Sequence, residues 1–301
     1  MPRPPPAAAA AAGPRPASHT KHEASLLYPL PSLGAQLRLA QDSARGQSTG
    51  TTLWLSAQIA ACWLQAHPVR AGKAAKTAEE GTSAADGSAS TPALDPPTPL
   101  RALELGSGTG FLAMVLALQG LAVLATDIEP PLSSVLRPNL AANGSTAVAA
   151  PLDWADTPGD SSGIGSADDE MRAADWLAQL GAAAGVPSPW DVLVSADTIY
   201  HPQLLHPLCR TLRAAVLASR RDGVEPHVLL ALERRDPALV DEALRTAERH
   251  GFALQRLPPR KVRRAVDAHL GSAWPRDEWE EVELWTLQLV DDAALLRLAA
   301  T

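Results

Sequence analysis

Glu104 and Asp127 are the carboxylates around which this 301-residue sequence arranges itself. Glu104 stands just ahead of Gly106-Ser107-Gly108-Thr109-Gly110, and Asp127 lies seventeen residues beyond Gly110, at the end of the apolar run 121–126. Glycines separated by single residues let a backbone approach a ligand with no Cβ in the way. Carboxylates on either side of such a turn can meet a cation and accept hydrogen bonds from sugar hydroxyls. Strand, glycine turn, helix, strand, acid is the half-fold that binds an adenosine-containing cofactor. A nicotinamide-type turn, G-x-G-x-x-G, would place its third glycine at position 111, which is Phe111.

The rest of the chain must position these groups. Leu103 and Leu105 lead into the turn as a strand, and Phe111, Leu112, Met114, Val115, Leu116 and Leu118 follow at helical spacing. Upstream, Leu33, Leu37 and Leu39 suit a short strand or hairpin, and residues 53–64 a helix with Thr51 or Thr52 as its cap. Downstream come a helix over 132–143 interrupted by Pro138, a strand ending at Leu152-Asp153-Trp154, and a buried strand over Val192, Leu193 and Val194. A helix over 204–217, a strand over 228–232, a helix over 239–250 closed by Gly251, a strand over 252–257, a basic helix from Arg260 and a final strand within 281–290 complete the pattern. Strands alternating with helices, closed by a strand pair, predict an α/β sheet with helices on both faces and an antiparallel C-terminal strand pair.

Composition narrows the classes. Residues 1–25 are Pro/Ala-rich and read as a disordered tail; residues 66–99 and 156–188 read as low-complexity insertions in one domain over 26–295, the second with a possible short helix at 173–180. Twenty-six basic against 33 acidic residues, net charge -7, argue against a general nucleic-acid binder. The basic run at 260–264 reads as a solvated helix face. Cys62 and Cys209 form neither a disulfide framework nor a metal-ligand spacing, which suits a reducing compartment, cytoplasmic or nuclear, and no metal site is expected. No apolar run approaches a membrane span. A monomer is expected.

Gly106-x-Gly108-x-Gly110 behind Glu104 resembles the S-adenosyl-L-methionine-dependent methyltransferases of the seven-stranded, Rossmann-like class I type. Gly50-x-x-x-Trp54, the glycine turn, Leu152-Asp153-Trp154 and Asp197-Thr198-Ile199-Tyr200, in that order, resemble more narrowly the family-16 methyltransferases, mostly protein-lysine methyltransferases. The resemblance implies that Trp54 packs at the methionine end of the cofactor. It implies that Glu104 faces the cationic end, that Gly106, Ser107 and Gly108 surround methionine and ribose, and that Asp127 holds the ribose. Trp154 would flank the adenine and Ala196 would line the cofactor through its backbone. Asp197 and Tyr200 would form the mouth where the acceptor enters, as the catalytic pair; Asp197 could also cap a helix ahead of Leu204. The chain lacks the Asn/Asp-Pro-Pro-Tyr element of methyltransferases acting on planar nitrogens, which favours an sp³ amine. Glu233-Arg234-Arg235-Asp236 and the segment 279–285 are similar to a fungal branch thought to act on translation elongation factors. The alternatives are a small-molecule N-methyltransferase and a non-catalytic interaction protein on the same scaffold.

Overall fold

Runs such as Val123 to Ala125 and Val192 to Val194 are apolar on both sides of the strand, which calls for a sheet covered on both faces. The computed structural model describes residues 13–42, 49–69, 98–159, 163–270 and 274–290. In chain order they form α1 (Ala17–Thr20), β1 (Ser25–Leu30), β2 (Ala35–Ala40), α2 (Leu55–Ala66), β3 (Arg101–Leu105), α3 (Phe111–Leu118), β4 (Ala122–Asp127), α4 (Arg137–Ala142) and β5 (Val148–Pro151). Then come α5 (Ala167–Ala183), β6 (Val192–Ala196), α6 (Leu205–Arg220), β7 (His227–Glu233), α7 (Pro237–Arg249), β8 (Phe252–Arg256), α8 (Pro259–Leu270) and β9 (Val282–Leu289).

Seven strands make one sheet in the order β5-β4-β3-β6-β7-β9-β8, and β1 and β2 form a separate antiparallel hairpin. Only β9 runs against its neighbours in the large sheet. This is the seven-stranded class I methyltransferase architecture that the sequence predicts. The C-terminal pair is present, with α8 in its connection and β9 slotted between β7 and β8. The chain enters at β3, winds outward to β5 and returns to β6, so the order reverses between β3 and β6. In open α/β sheets the crevice at the carboxyl ends beside such a reversal is where ligands bind.

Side-chain alternation sorts the core into two layers. On β3, Ala102 faces the layer built with α2, α3, α8 and the hairpin; Leu103 and Leu105 face the layer built with α5, α6 and α7. The hairpin is held by side chains at the end of α4. Asn139 Oδ1 accepts from Ala40 N–H at 2.7 Å and Asn143 Oδ1 from Arg38 N–H at 2.8 Å, while their amide nitrogens donate to Ala40 O at 3.1 Å and Arg38 O at 2.8 Å. Asn139 also donates to Thr109 O, in the glycine turn, at 2.9 Å.

The structure departs from the sequence reading in four places. Residues 13–25, expected to be part of a disordered tail, are packed: two buried glutamines tie down their backbone. Gln58 accepts from Ala17 N–H and donates to Arg15 O, both at 2.8 Å, and Gln41 donates to Thr20 O at 2.8 Å. A count of apolar residues misses such a clasp. Residues 1–12, and 70–97 of the expected first insertion, lie outside the described residues. The second expected insertion carries the 17-residue α5, opened by a capping box of Ser166 and Asp169. Its inward face is Leu177 with three small residues, Ala173, Ala174 and Gly181, which leave a weak periodic signal. Neither Thr51 nor Thr52 caps α2; Trp54 stands at that position, and the Thr51 hydroxyl donates to Asp42 O at 2.6 Å. Pro138 does not break its helix, because a π turn over Leu132–Leu136 precedes α4 and puts the proline in the first turn.

The α5 helix is fastened to α6 by a buried ion pair. Arg213 Nε donates to Glu170 Oε2 at 2.7 Å, with 8% of the arginine side chain exposed. Glu170→Ala would leave that guanidinium buried and uncompensated, so it should lower unfolding stability by about 3 kcal/mol. Urea denaturation reads the loss directly.

Candidate active site

β3 ends at Leu105, and the chain must turn and begin α3 at Phe111. Gly106 and Gly108 have φ of +71° and +51°, which side chains disfavour, and both sit where a Cβ would collide. A Cβ on Gly106 would lie 2.7 Å from Thr198 Cγ2 and 3.2 Å from Trp154 Cζ2; on Gly108 it would lie 2.9 Å from the Gly50 carbonyl oxygen. The turn is clamped to the next strand: Gly108 N–H donates to Asp127 Oδ2 at 2.7 Å and Ile128 N–H to Asp127 Oδ1 at 2.8 Å. On the other side, Ser195 Oγ donates to Leu105 O at 3.0 Å.

Above these strand ends lies a cavity of about 360 Å³. All ten residues singled out from the sequence line it: Trp54, Glu104, Gly106, Ser107, Gly108, Asp127, Trp154, Ala196, Asp197 and Tyr200. Of the two acids at its base, Glu104 is buried and Asp127 half-buried. Burial, with Asp127 nearby, pushes the Glu104 carboxyl up to about 8, and burial pushes Asp127 up to about 6 despite its two backbone donors. Glu104 Oε2 and Ser107 Oγ are buried and meet no partner at hydrogen-bond geometry among the described residues, although the Ser107 hydroxyl and the Ala113 N–H lie near enough to favour the ionised Glu104 carboxylate. Buried polar atoms are ordinarily paired, so a carboxylate oxygen and a hydroxyl left without good partners beside a cavity suit a charged, hydrogen-bonding ligand.

At the mouth the chemistry changes to cation binding. Trp54 is anchored by its Nε1, which donates to Thr49 O at 2.6 Å. The Arg235 guanidinium lies 4.6 Å and the Lys21 ammonium 3.9 Å from its ring centroid. Arg235 also donates to Asp197 Oδ1, whose side chain is 3% exposed. Burial raises the Asp197 carboxyl above the ordinary range and the Arg235 charge pulls it back. Asp197 caps no helix: it sits at φ +60°, and His201 caps the turn before α6. Tyr200 is at the rim, 45% exposed.

Sequence reasoning assigned no site role to Arg235 or Lys21. Arg235 lies just past β7, at the same sheet edge as Glu104, Asp127 and Asp197, and that shared edge was the signal for it. Lys21 carried no signal, because its place depends on the glutamine clasp.

Residues 33–168 match the lysine methyltransferase family. The match spans Trp54, the glycine turn, Asp127 and Trp154, and stops before Asp197 and Tyr200. Among solved structures the chain is similar to a TehB-like SAM-dependent methyltransferase of Corynebacterium glutamicum, at 16% identity and TM-score 0.37, covering 65% of this chain and 83% of that one. It is also similar to a SAM-dependent methyltransferase of Agrobacterium tumefaciens, at 13% and 0.42, covering 88% and 70%. A third is a T. thermophilus 16S rRNA methyltransferase in complex with AdoMet and guanosine, at 15% and 0.41, covering 89% and 46%. The glycine turn with its two acids suits S-adenosylmethionine as the cofactor. The glycine cradle, the unpartnered Glu104 Oε2 and Ser107 Oγ atoms and the half-buried Asp127 carboxylate fit its cationic amino-acid end and its ribose. No helix among the described residues is long and apolar enough to cross a membrane.

Proposed function

We propose that this methyltransferase modifies a lysine side chain of a protein substrate. One observation carries the reading: Asp197 and the Trp54 ring, side by side at the cavity mouth, already hold two cations of the chain itself. A buried carboxylate beside an aromatic face is a receptor for an ammonium group. Among protein substrates, a translation elongation factor is the candidate, on the resemblance of Glu233-Arg234-Arg235-Asp236 and 279–285 alone.

Bound S-adenosylmethionine supplies a methyl group made electrophilic by its sulfonium. The protein has then to hold the acceptor nitrogen in line and keep water out. In this reading Glu104 balances the cofactor's positive end, Asp127 accepts from the ribose hydroxyls, and Trp154 covers the adenine. Gly106, Ser107, Gly108 and the Ala196 backbone shape the floor. Asp197 draws in the substrate ammonium as Arg235 yields its place, and Tyr200 and Trp54 wall the approach. The acceptor proton leaves to solvent.

Two outcomes test this. Labelled cofactor incubated with the protein and a cell lysate should mark a protein band at lysine, and Asp197→Ala should slow that labelling about 30-fold while leaving cofactor affinity intact. Label confined to small molecules would overturn the reading. The second outcome is electrostatic. A cation arriving beside Glu104 favours its ionised form, so binding below about pH 8 expels a proton and cofactor affinity should climb between pH 6 and 8. Calorimetric heats should then vary with the buffer's ionisation enthalpy, and Glu104→Gln should remove the Glu104 contribution.

A further inference from the structure

Lys21 is the residue that caps α1 at its C-terminus, and the Gln58 and Gln41 clasp holds the helix before it, at Ala17 and Thr20, independently of the cavity. Its ammonium reaches back over the Trp54 ring and makes no hydrogen bond or ion pair among the described residues. The charges that act on it are those of the mouth: Arg235 repels it, Glu233 and Asp197 attract it. Two of these, Asp197 and Arg235, line the cofactor cavity, as does Trp54. A structural cation over an aromatic ring is more often arginine. This chain has 22 arginines and only 4 lysines, yet it has a lysine here. An amine that can become a nucleophile therefore stands tethered over Trp54, a residue of the acceptor mouth, where the Asp197 charge reaches it.

Resting on the function proposed above, we propose that Lys21 is a methyl acceptor in cis, so that the enzyme modifies its own N-terminal segment. The Lys21 ammonium first loses a proton to solvent. Its lone pair then forms a bond to the methyl carbon of S-adenosylmethionine as the carbon–sulfur bond breaks. The electron pair of that bond goes to sulfur, giving S-adenosylhomocysteine and a methylated Lys21 ammonium. Burial and the Arg235 charge, which lower the Lys21 pKa, ease the first step.

The test uses the purified full chain with S-adenosylmethionine, followed by peptide mass spectrometry. Methyl groups should accumulate on Lys21 and not on Lys261, at a rate per molecule independent of protein concentration. K21R should remove the modification and keep cofactor affinity within about twofold by calorimetry. A readout that needs no turnover is acylation by acetic anhydride: S-adenosylhomocysteine should slow the reaction at Lys21 several-fold and leave Lys261 unchanged. An unmodified Lys21 in a preparation that binds cofactor and labels a lysate protein overturns this inference alone. A rate that scales with protein concentration overturns the cis arrangement. Loss of both self-labelling and lysate labelling overturns the proposed function as well.

Discussion

Replacing Asp127 with alanine should weaken S-adenosylmethionine binding at least about 100-fold in calorimetry. Asp127 does two jobs with one carboxylate. It is proposed to accept from the ribose hydroxyls, and it already accepts from Gly108 N–H and Ile128 N–H. Hydrogen bonds to an ionised group contribute about 1.5–3 kcal/mol each, and every 1.4 kcal/mol is a factor of about ten. Losing the ribose contacts therefore costs roughly two decades before the freed glycine turn is considered. Asp127→Asn retains an acceptor oxygen and should fall between wild type and alanine. Unchanged affinity in Asp127→Ala would remove Asp127 from the cofactor site.

Gly108→Ala should be the most damaging single-methyl change in the site. The new Cβ meets a backbone carbonyl, Gly50 O at 2.9 Å, which cannot rotate away as a side chain would. The residue also has to adopt φ +51°, a left-handed conformation that costs an L-residue about 1–2 kcal/mol. Together these should lower unfolding stability by about 2–4 kcal/mol and abolish cofactor binding. Gly120→Ala separates the two contributions. Gly120 has φ +88°, and a Cβ there would have nothing within 4 Å, so it should lose only the conformational part. Urea denaturation of both variants checks the difference; equal losses would mean that contact with Gly50 does not matter.

The cofactor half of the site was legible because its chemistry is local in sequence. Glycine spacing, the acid before it and the acid closing the next strand are fixed by one strand–turn–helix–strand unit, and local geometry follows from residue type there. The mouth was half legible. Asp197 and Tyr200 stand at a strand end and could be found, whereas Arg235 matters only because β7 lies beside β6, a fact of sheet order. Lys21 was hidden twice over: its segment has the composition of a tail, and the groups that order it, Gln41 and Gln58, look like surface residues until they are seen buried. α5 was underread for a related reason, since Ala and Gly contribute little to an apolar pattern even when they form the contact face.

The two asparagines that grip the hairpin also set a geometric limit. Residues four apart on a helix are about 6 Å apart along its axis, from a rise of 1.5 Å per residue, while residues two apart on a strand are separated by about 6.6–6.8 Å. Asn139 and Asn143 therefore fall nearly in step with Ala40 and Arg38, and a helix can imitate the edge of a neighbouring strand for two rungs before the mismatch accumulates. The hairpin is thus docked in a single register without being extended into the sheet. Because Asn139 also grips Thr109, that register fixes the height of the glycine turn relative to the hairpin, like a two-toothed rack meshed with its pinion.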